Sequence, residues 1–496
     1  MVALSVDLKS TVRNGALLVA LAAAGHFVAY KIVNIPSQLE LLVLVAALLL
    51  YPVIRRPVLG IYLVFITLPF VPHVRRLFYL QYARPTVDPL IALSDIMILF
   101  VVGGLFFVFR EHHIERRRIN FMGHLIAAYF CYCVIRTFFV NALPLPQAIM
   151  QFHFYGPAVL FYFIGSLFAH RDDIHGTIWT ITIITGFAAA LYGMKQLLAG
   201  YSEAEKIWFS SISFTTLFIK GLARPFSFFQ SPASFADYML LSIIGLFFLA
   251  SRSNARQKWP FFLLFVPYCY AALITSVRSN WIGVILAFVL WFLVLRIRGI
   301  KNRLIMFFVV VAAFLLSQTI DFAMQFHSGF SSIISTLGEG ADREYLDLLV
   351  TQRTGALANP FQEYSLLSRI ALWKHLVALS ADPLNAILGR GIGAINADSL
   401  YINYLAQLGY PGIIFIVMFV VVTIRRGFNL IDRSSSPEVV LLARTVTLMN
   451  IVFAVINLTG THIHAFPGDV YFWFWNGVLM KLAASEGEVT PSGNQA

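Results

Sequence analysis

The feature that most limits this chain is a succession of long apolar runs, such as Leu41–Leu50 within the stretch 38–54. A helix needs roughly 20 predominantly apolar residues to cross a bilayer. Runs that are apolar on every side lack the two-residue alternation of a membrane β-barrel. About fourteen stretches qualify as spans. They lie near 15–33, 38–54, 58–73, 90–109, 121–140, 148–169, 176–198, 233–251, 259–277, 279–296, 303–319, 399–423, 439–458 and 468–483. The expected fold class is therefore all-α, a polytopic membrane protein with about fourteen transmembrane helices. Composition agrees, with 12% charged residues and a mean hydropathy of +0.78. Soluble domains carry about 25% charged residues. A soluble enzyme, a disordered chain and a collagen-like fibre are all excluded.

The formal net charge is +12, but the basic residues sit in short connections, which argues for orientation by the positive-inside rule and against nucleic acid. Arg55/Arg56, the run 110–118, Arg171, Arg252/Arg256/Lys258, Arg296/Arg298/Lys301/Arg303 and Arg425/Arg426/Arg433 fall on alternate connections. All face the cytoplasm together if both termini are inside; the loop with Arg75, Arg76 and Arg84 is the exception and lands outside. Lys9 and Arg13 precede an apolar stretch that reads as a first, uncleaved span. Cys131, Cys133 and Cys269 lie in apolar runs and read as buried free thiols, without a disulfide framework or zinc site.

The membrane domain covers 1–483, and the tail 484–496 is polar and expected to be disordered. Three outer connections stand out, at 200–232, at 276–280 and at 321–398. The last is expected to form a helical extracytoplasmic cap. Glu344–Thr354 suits a helix, and Ser365–Leu379 is amphipathic, with Leu366, Ile370, Trp373 and Val377 on one face. Asp382-Pro383 breaks the pattern.

Arg224, in Gly-Leu-Ala-Arg-Pro-Phe, and Arg278, in Thr-Ser-Val-Arg-Ser-Asn-Trp, draw the eye as chemistry-bearing residues. Arginines beside an apolar core are costly and often functional, and the planar guanidinium matches phosphate oxygens in pairs. Together they suit a pyrophosphate; snorkelling to the interface is the alternative. Farther along come Arg369, Trp373, Pro383-Leu384, the Gly389-Arg390-Gly391-Ile392-Gly393 run, Asp398-Ser399 and Tyr401, then Gly409 and Gly412. The glycines permit tight backbone near a ligand or an entering span. Asp398 suits a base or an acceptor-orienting group, or a helix cap.

This set, from Arg224 to Gly412, resembles the O-antigen ligase/polymerase-like family of bacterial polysaccharide assembly proteins. The resemblance is carried by Arg224, Phe228, Pro232 and Phe235, by Ser276-Val-Arg278, by Arg369, Trp373, Pro383-Leu384 and the three glycines, and by Tyr401 with Gly409. It implies an inverting, metal-independent glycosyl transfer on polyprenyl-pyrophosphate-linked glycans at the outer face of a bacterial inner membrane. No cofactor is implied. Arg278, Arg224 and Asp398 are then catalytic, and Arg390, Arg369, Tyr401 and Trp373 bind substrate. Ligases of the family usually present His-Asn where this chain has Asp398-Ser399. The departure favours a polymerase of repeat units over a ligase, with donor and acceptor glycans, membrane lipid and a chain-length regulator as partners.

Other residues have plainer readings. His462 and His464, with Asp469, flank an outer link, and two histidines alone do not make a metal site. Arg136 and Lys195 are placed to pair with a carboxylate or a lipid phosphate. Trp208, Trp281, Trp473 and Trp475 suit the membrane interface. A transporter or lipid flippase is the rival from another class, and would show broken helices at mid-membrane, often in matching halves.

Overall fold

The computed structural model describes residues 56–78, 120–139, 151–211, 217–219, 222–253, 259–294, 364–379, 382–393 and 397–488. The expected spans 15–33, 38–54, 90–109 and 303–319 and the segment Glu344–Thr354 lie outside them. The chain divides into two compact units, 1–117 and 118–496. In the first, α1 (Pro57–Thr67), a 3-10 turn (Leu68–Phe70) and α2 (Val71–Phe78) follow one another over the expected span 58–73.

The second unit is a helical membrane bundle. Its elements are α3 (Phe121–Phe138), a 3-10 turn (Pro157–Leu160), α4 (Phe161–Leu167), α5 (Asp172–Ala199), α6 (Glu203–Ser211), α7 (Pro232–Arg252), α8 (Trp259–Ile274) and α9 (Arg278–Val294). They continue with α10 (Tyr364–Leu379), α11 (Pro383–Leu388), α12 (Leu400–Arg433), α13 (Pro437–Ile456), a 3-10 turn (His462–His464) and α14 (Gly468–Glu488). Among the described residues, five helices are long and apolar enough to cross a membrane: α3, α5, α7, α12 and α13. The all-α expectation misses one detail: β1 (Phe218–Ile219) and β2 (Leu222–Ala223) form a minimal antiparallel hairpin in the connection 200–232.

α7 occupies the centre. It starts at a serine cap, with Ser231 Oγ accepting from the Ser234 N–H and Pro232 in the first turn, the chemistry that favours a helix N-terminus. It is mostly apolar and buried nearly all round, packing on α5, α8, α9, α13 and α14. Aromatic residues fill the remaining core. Trp179 stacks on Trp475 at 4.5 Å between ring centroids, and Trp291 stacks on Phe247 at 4.1 Å. Trp208, Trp281, Trp473 and Trp475 are all buried, which corrects their expected interfacial role. Trp281, for instance, packs with Leu197, Tyr270, Leu273 and Ile274 and donates from Nε1 to the Ala272 carbonyl. Of the thiols, Cys133 and Cys269 are buried, but Cys131 is exposed.

Consecutive long helices run in opposite directions. Arg252 approaches Gly176, Ser485 reaches His170 and Ser434 donates to Glu486. Arg171, Arg252 and Arg433 are thus gathered at one end. The starts of α7, α9 and α12 and the α13–α14 link meet at the other. α14 is helical through Glu488, so residues 484–488 of the expected tail belong to the helix, and the rest of the expected tail lies outside the described residues. On α10 the inward face differs from expectation: Leu376 is buried, whereas Val377 is exposed, because the surface α10 covers is the flank of α12.

α12 is broken. Gly409 has φ 69° and ψ −161°, and Pro411 follows. Proline lacks the N–H and its ring crowds the carbonyl four residues back, so the last carbonyls of the first segment lose their helical donors. Each finds another. Ala406 O accepts from Arg390 N–H at 2.9 Å, Gln407 O from Gly391 N–H at 3.0 Å, and Leu408 O from the Tyr132 hydroxyl at 2.8 Å. The run of glycines therefore serves an entering span: it presses extended backbone against the interrupted helix.

Candidate functional site

The backbone just after Arg224 is held by a buried amide. Gln196, on the last turns of α5, accepts with Oε1 from the N–H groups of Phe226 (3.0 Å) and Ser227 (2.7 Å). Its Nε2 donates to Glu205 Oε1 at 2.6 Å, and Glu205 Oε2 accepts from the backbone and hydroxyl of Ser202. Ser227 itself has φ 52° and donates from Oγ to Ala189 O at 2.7 Å. Replacing Gln196 by Ala strands two buried backbone N–H groups, at about 1–3 kcal/mol for each. A lower thermal midpoint in detergent, with no change in helix content, is the expected result.

The arginine continues the hairpin, its N–H bonding Leu217 O at 2.9 Å, and then reaches across to the α8–α9 turn. Nε and one Nη both donate to Thr275 O, at 2.8 and 2.6 Å. That carbonyl lies three residues before Arg278, the first residue of α9. The turn is fixed locally as well, by Thr275 Oγ1 donating to Ala272 O and accepting from Val277 N–H. Ser276 has φ 55°, and Ser227 and Ser276 are the non-glycine residues with positive φ among the described residues. Such strain tends to persist at functional sites, and here it flanks both arginine motifs. Arg224 and Arg278 are each half-buried.

Beside them lies a polar cluster that the sequence did not single out as one site. Asp237, about 8 Å along α7 from its first residue at 1.5 Å per residue, is fully buried. Its Oδ1 accepts from His462 Nδ1 at 2.7 Å and from Asn280 Nδ2 at 2.7 Å. Asn280 is on the first turn of α9, two residues after Arg278. The opposite atoms, Asp237 Oδ2 and His462 Nε2, are buried without a hydrogen-bond partner. A lone carboxylate in an apolar span was the available signal, since such residues are functional by default.

His464 has a different environment from its neighbour. Its ring lies 4.6 Å from that of Tyr155 and stacks on Tyr404 at 5.5 Å. Loss of solvation on burial pushes its pKa down to about 4 from an ordinary 6.5. The unfolded chain therefore binds the extra proton first as pH falls. The stability His464 supplies is complete above pH 6.5 and is lost on the way down to about pH 4, roughly 3 kcal/mol at 1.36 kcal/mol per unit. His464→Phe is expected to flatten this limb in detergent melts across that window.

The remaining expected site residues are dispersed around the same helices. Asp398 is exposed, one residue before Ser399, the N-cap position of α12, which makes no side-chain cap. Leu400 N–H bonds both Asn457 O and Gly460 O, tying this start to the α13–α14 link that carries His462. The Tyr401 hydroxyl donates to Ala454 O at 2.9 Å and so fastens α12 to α13. Arg390 contributes its backbone to the α12 break while its side chain is exposed. Arg369 and Trp373 lie on α10, with Trp373 half-buried. Arg136 is buried and donates to Gly389 O at 3.1 Å, at the C-terminus of α11, where a cation is favoured. Among the described residues no group of three or more His, Cys, Asp or Glu is placed to hold a metal ion.

No family model matches the chain, and no curated protein matches it in sequence.

Proposed function

We propose that this protein is a membrane glycosyltransferase that polymerises polyprenyl-pyrophosphate-linked oligosaccharide repeat units at the outer face of a bacterial inner membrane. The observation that carries the reading is the reach of Arg224 to the Thr275 carbonyl, which unites two arginine-bearing segments remote in sequence at one end of the bundle. Polyprenyl pyrophosphate is a good leaving group, so the main demand on the protein is to stabilise developing negative charge. Fixed cations in a water-poor setting meet that demand. In this reading Arg278, at the first turn of α9, grips the donor diphosphate. Arg224 shapes the turn and adds its charge. Asp398 orients the acceptor hydroxyl, whose oxygen attacks the anomeric carbon from the side opposite the leaving group and inverts it. The basic clusters at the other end of the bundle fit a cytoplasmic placement of that end.

The break in α12 favours a second reading, transport, because interrupted helices often form substrate sites in carriers. Its freed carbonyls at Ala406, Gln407 and Leu408 are already engaged by Arg390, Gly391 and Tyr132, which weakens that reading. Purified protein in detergent, supplied with a lipid-linked oligosaccharide, separates the two. Longer lipid-linked glycans support the transferase; vectorial movement in vesicles without a new bond supports the carrier. Transfer of finished polymer to a different lipid or protein acceptor identifies a ligase instead.

A further inference from the structure

Among the buried polar pairs of the described residues, two contrast in character. Asn450 and Asn476 satisfy one another, each donating to the other's carbonyl oxygen, at 2.8 and 3.0 Å. Such a pair serves packing. Asp237 and His462 do not close on themselves. Both hydrogen bonds from His462 and Asn280 converge on one carboxylate oxygen, leaving Oδ2 and Nε2 buried without partners. A buried polar atom without a partner costs about 1–3 kcal/mol, a cost with no return in packing.

The geometry has a chemical consequence. A carboxylate that takes the Nδ1 proton in a hydrogen bond fixes the imidazole as the tautomer whose Nε2 carries the lone pair. The arrangement aims a base at one defined point. Asn280 holds that carboxylate from the first turn of α9, the turn that begins at Arg278. The ring edge with Nε2 lies against Gly460, where even a Cβ would overlap it. Gly460 is itself half-exposed, and a role for Nε2 in chemistry requires the Thr459–Thr461 turn to move and uncover that edge.

We infer that His462 is the proton acceptor of the reaction proposed above, with Asp237 and Asn280 as its positioning residues. The inference rests on the glycosyltransferase reading. In the step, the acceptor O–H bond breaks and its proton passes to His462 Nε2. The oxygen forms the new bond to the anomeric carbon. The bond from that carbon to the diphosphate oxygen breaks, and its electron pair leaves on polyprenyl pyrophosphate. Asp237 stabilises the imidazolium, which then releases its proton to water.

The test uses full-length protein in detergent with a lipid-linked oligosaccharide as donor and acceptor. Asp237→Asn keeps the shape but not the tautomer control, and is expected to lower kcat by 10²-fold or more while leaving donor KM within threefold. His462→Ala is expected to lose elongation and to regain it with added imidazoles, faster with the more basic members of the series. Rescue that ignores basicity indicates a filled cavity and overturns the inference, as does elongation by His462→Ala within threefold of wild type. Where His462→Ala does not fold, the kcat and KM of Asp237→Asn decide: unchanged kcat overturns the inference. Wild-type protein that elongates nothing refutes the transferase reading itself, a result distinct from either.

Discussion

Arg278→Ala is expected to abolish polymer in a deletion strain complemented with the variant, leaving single repeat units on the lipid carrier and unchanged protein level. Loss of one preorganised group that stabilises transition-state charge costs about 10²–10³-fold in rate. In the proposed reaction Arg278 would meet a dianionic leaving group as a full cation, which places the expected loss at the upper end. The α8–α9 turn keeps the bonds of Thr275 with Ala272 and Val277 and of Arg224 with Thr275 in the variant. Arg278→Lys keeps the charge but loses the paired donors, so an intermediate yield is expected. Arg224→Ala differs in kind: it also frees the Thr275 carbonyl, so its thermal midpoint should fall together with its activity. A gel of surface and lipid-linked glycans reads all three variants, and normal chain length in Arg278→Ala refutes the assignment.

The helices were legible because their cause is local. Apolar runs with charges between them specify spans, and the structure starts and ends α5, α7, α8, α9 and α13 within a few residues of the expected stretches. The same holds for Ser365–Leu379, stopped by Asp382-Pro383 and found as α10. What was not legible depends on which neighbours meet. Hydropathy assigns Trp473 and Trp475 equally well to an interface or a core, and only the packing of α14 on α4, α5 and α12 decides. The extension of α12 to Arg433, ten residues past expectation, carries Arg425, Arg426, Asn429, Asp432 and Arg433, residues that hydropathy alone does not assign to a span.

The site divides in the same way. Arg224 and Arg278 were visible as expensive charges beside apolar spans, and the bond from Arg224 to the turn that precedes Arg278 is the three-dimensional fact that sequence could not supply. His462 was visible only as half of a weak His-x-His pair, and Asp237 as one carboxylate in a span. They are 225 positions apart, so nothing local joins them. Conversely, the glycines of 389–393 looked suited either to a ligand or to an entering span. The choice between these depended on a break in α12 that Pro411 alone did not announce.

That break supplies the second large effect. Gly389→Ala is expected to unfold this end of the bundle or to prevent accumulation of the protein. Gly389 has φ 67° and ψ 179°, a region open essentially only to glycine, and occupying it with a side chain costs about 1–3 kcal/mol by itself. The added methyl would also lie 2.5 Å from the backbone nitrogen of Gly409 and overlap the Gln407 carbonyl. Neither is a side-chain tip that can swing away. The reciprocal change, Gly409→Ala, meets Ile387 O at 2.6 Å and Ala386 O at 2.7 Å, and the two variants should fail alike. Relief requires α11 to lift from α12, which breaks the bonds from Arg390 and Gly391 and withdraws Gly389 O from Arg136. The combined loss is on the order of 4 kcal/mol or more from strain and overpacking, a large share of the stability of a domain. Gly468→Ala is the control. A Cβ there meets nothing within 4 Å, so its midpoint should match or slightly exceed wild type. Thermal unfolding in detergent compares the three, and a Gly389→Ala protein as stable as the Gly468→Ala control would show that α11 does not seat on the broken helix.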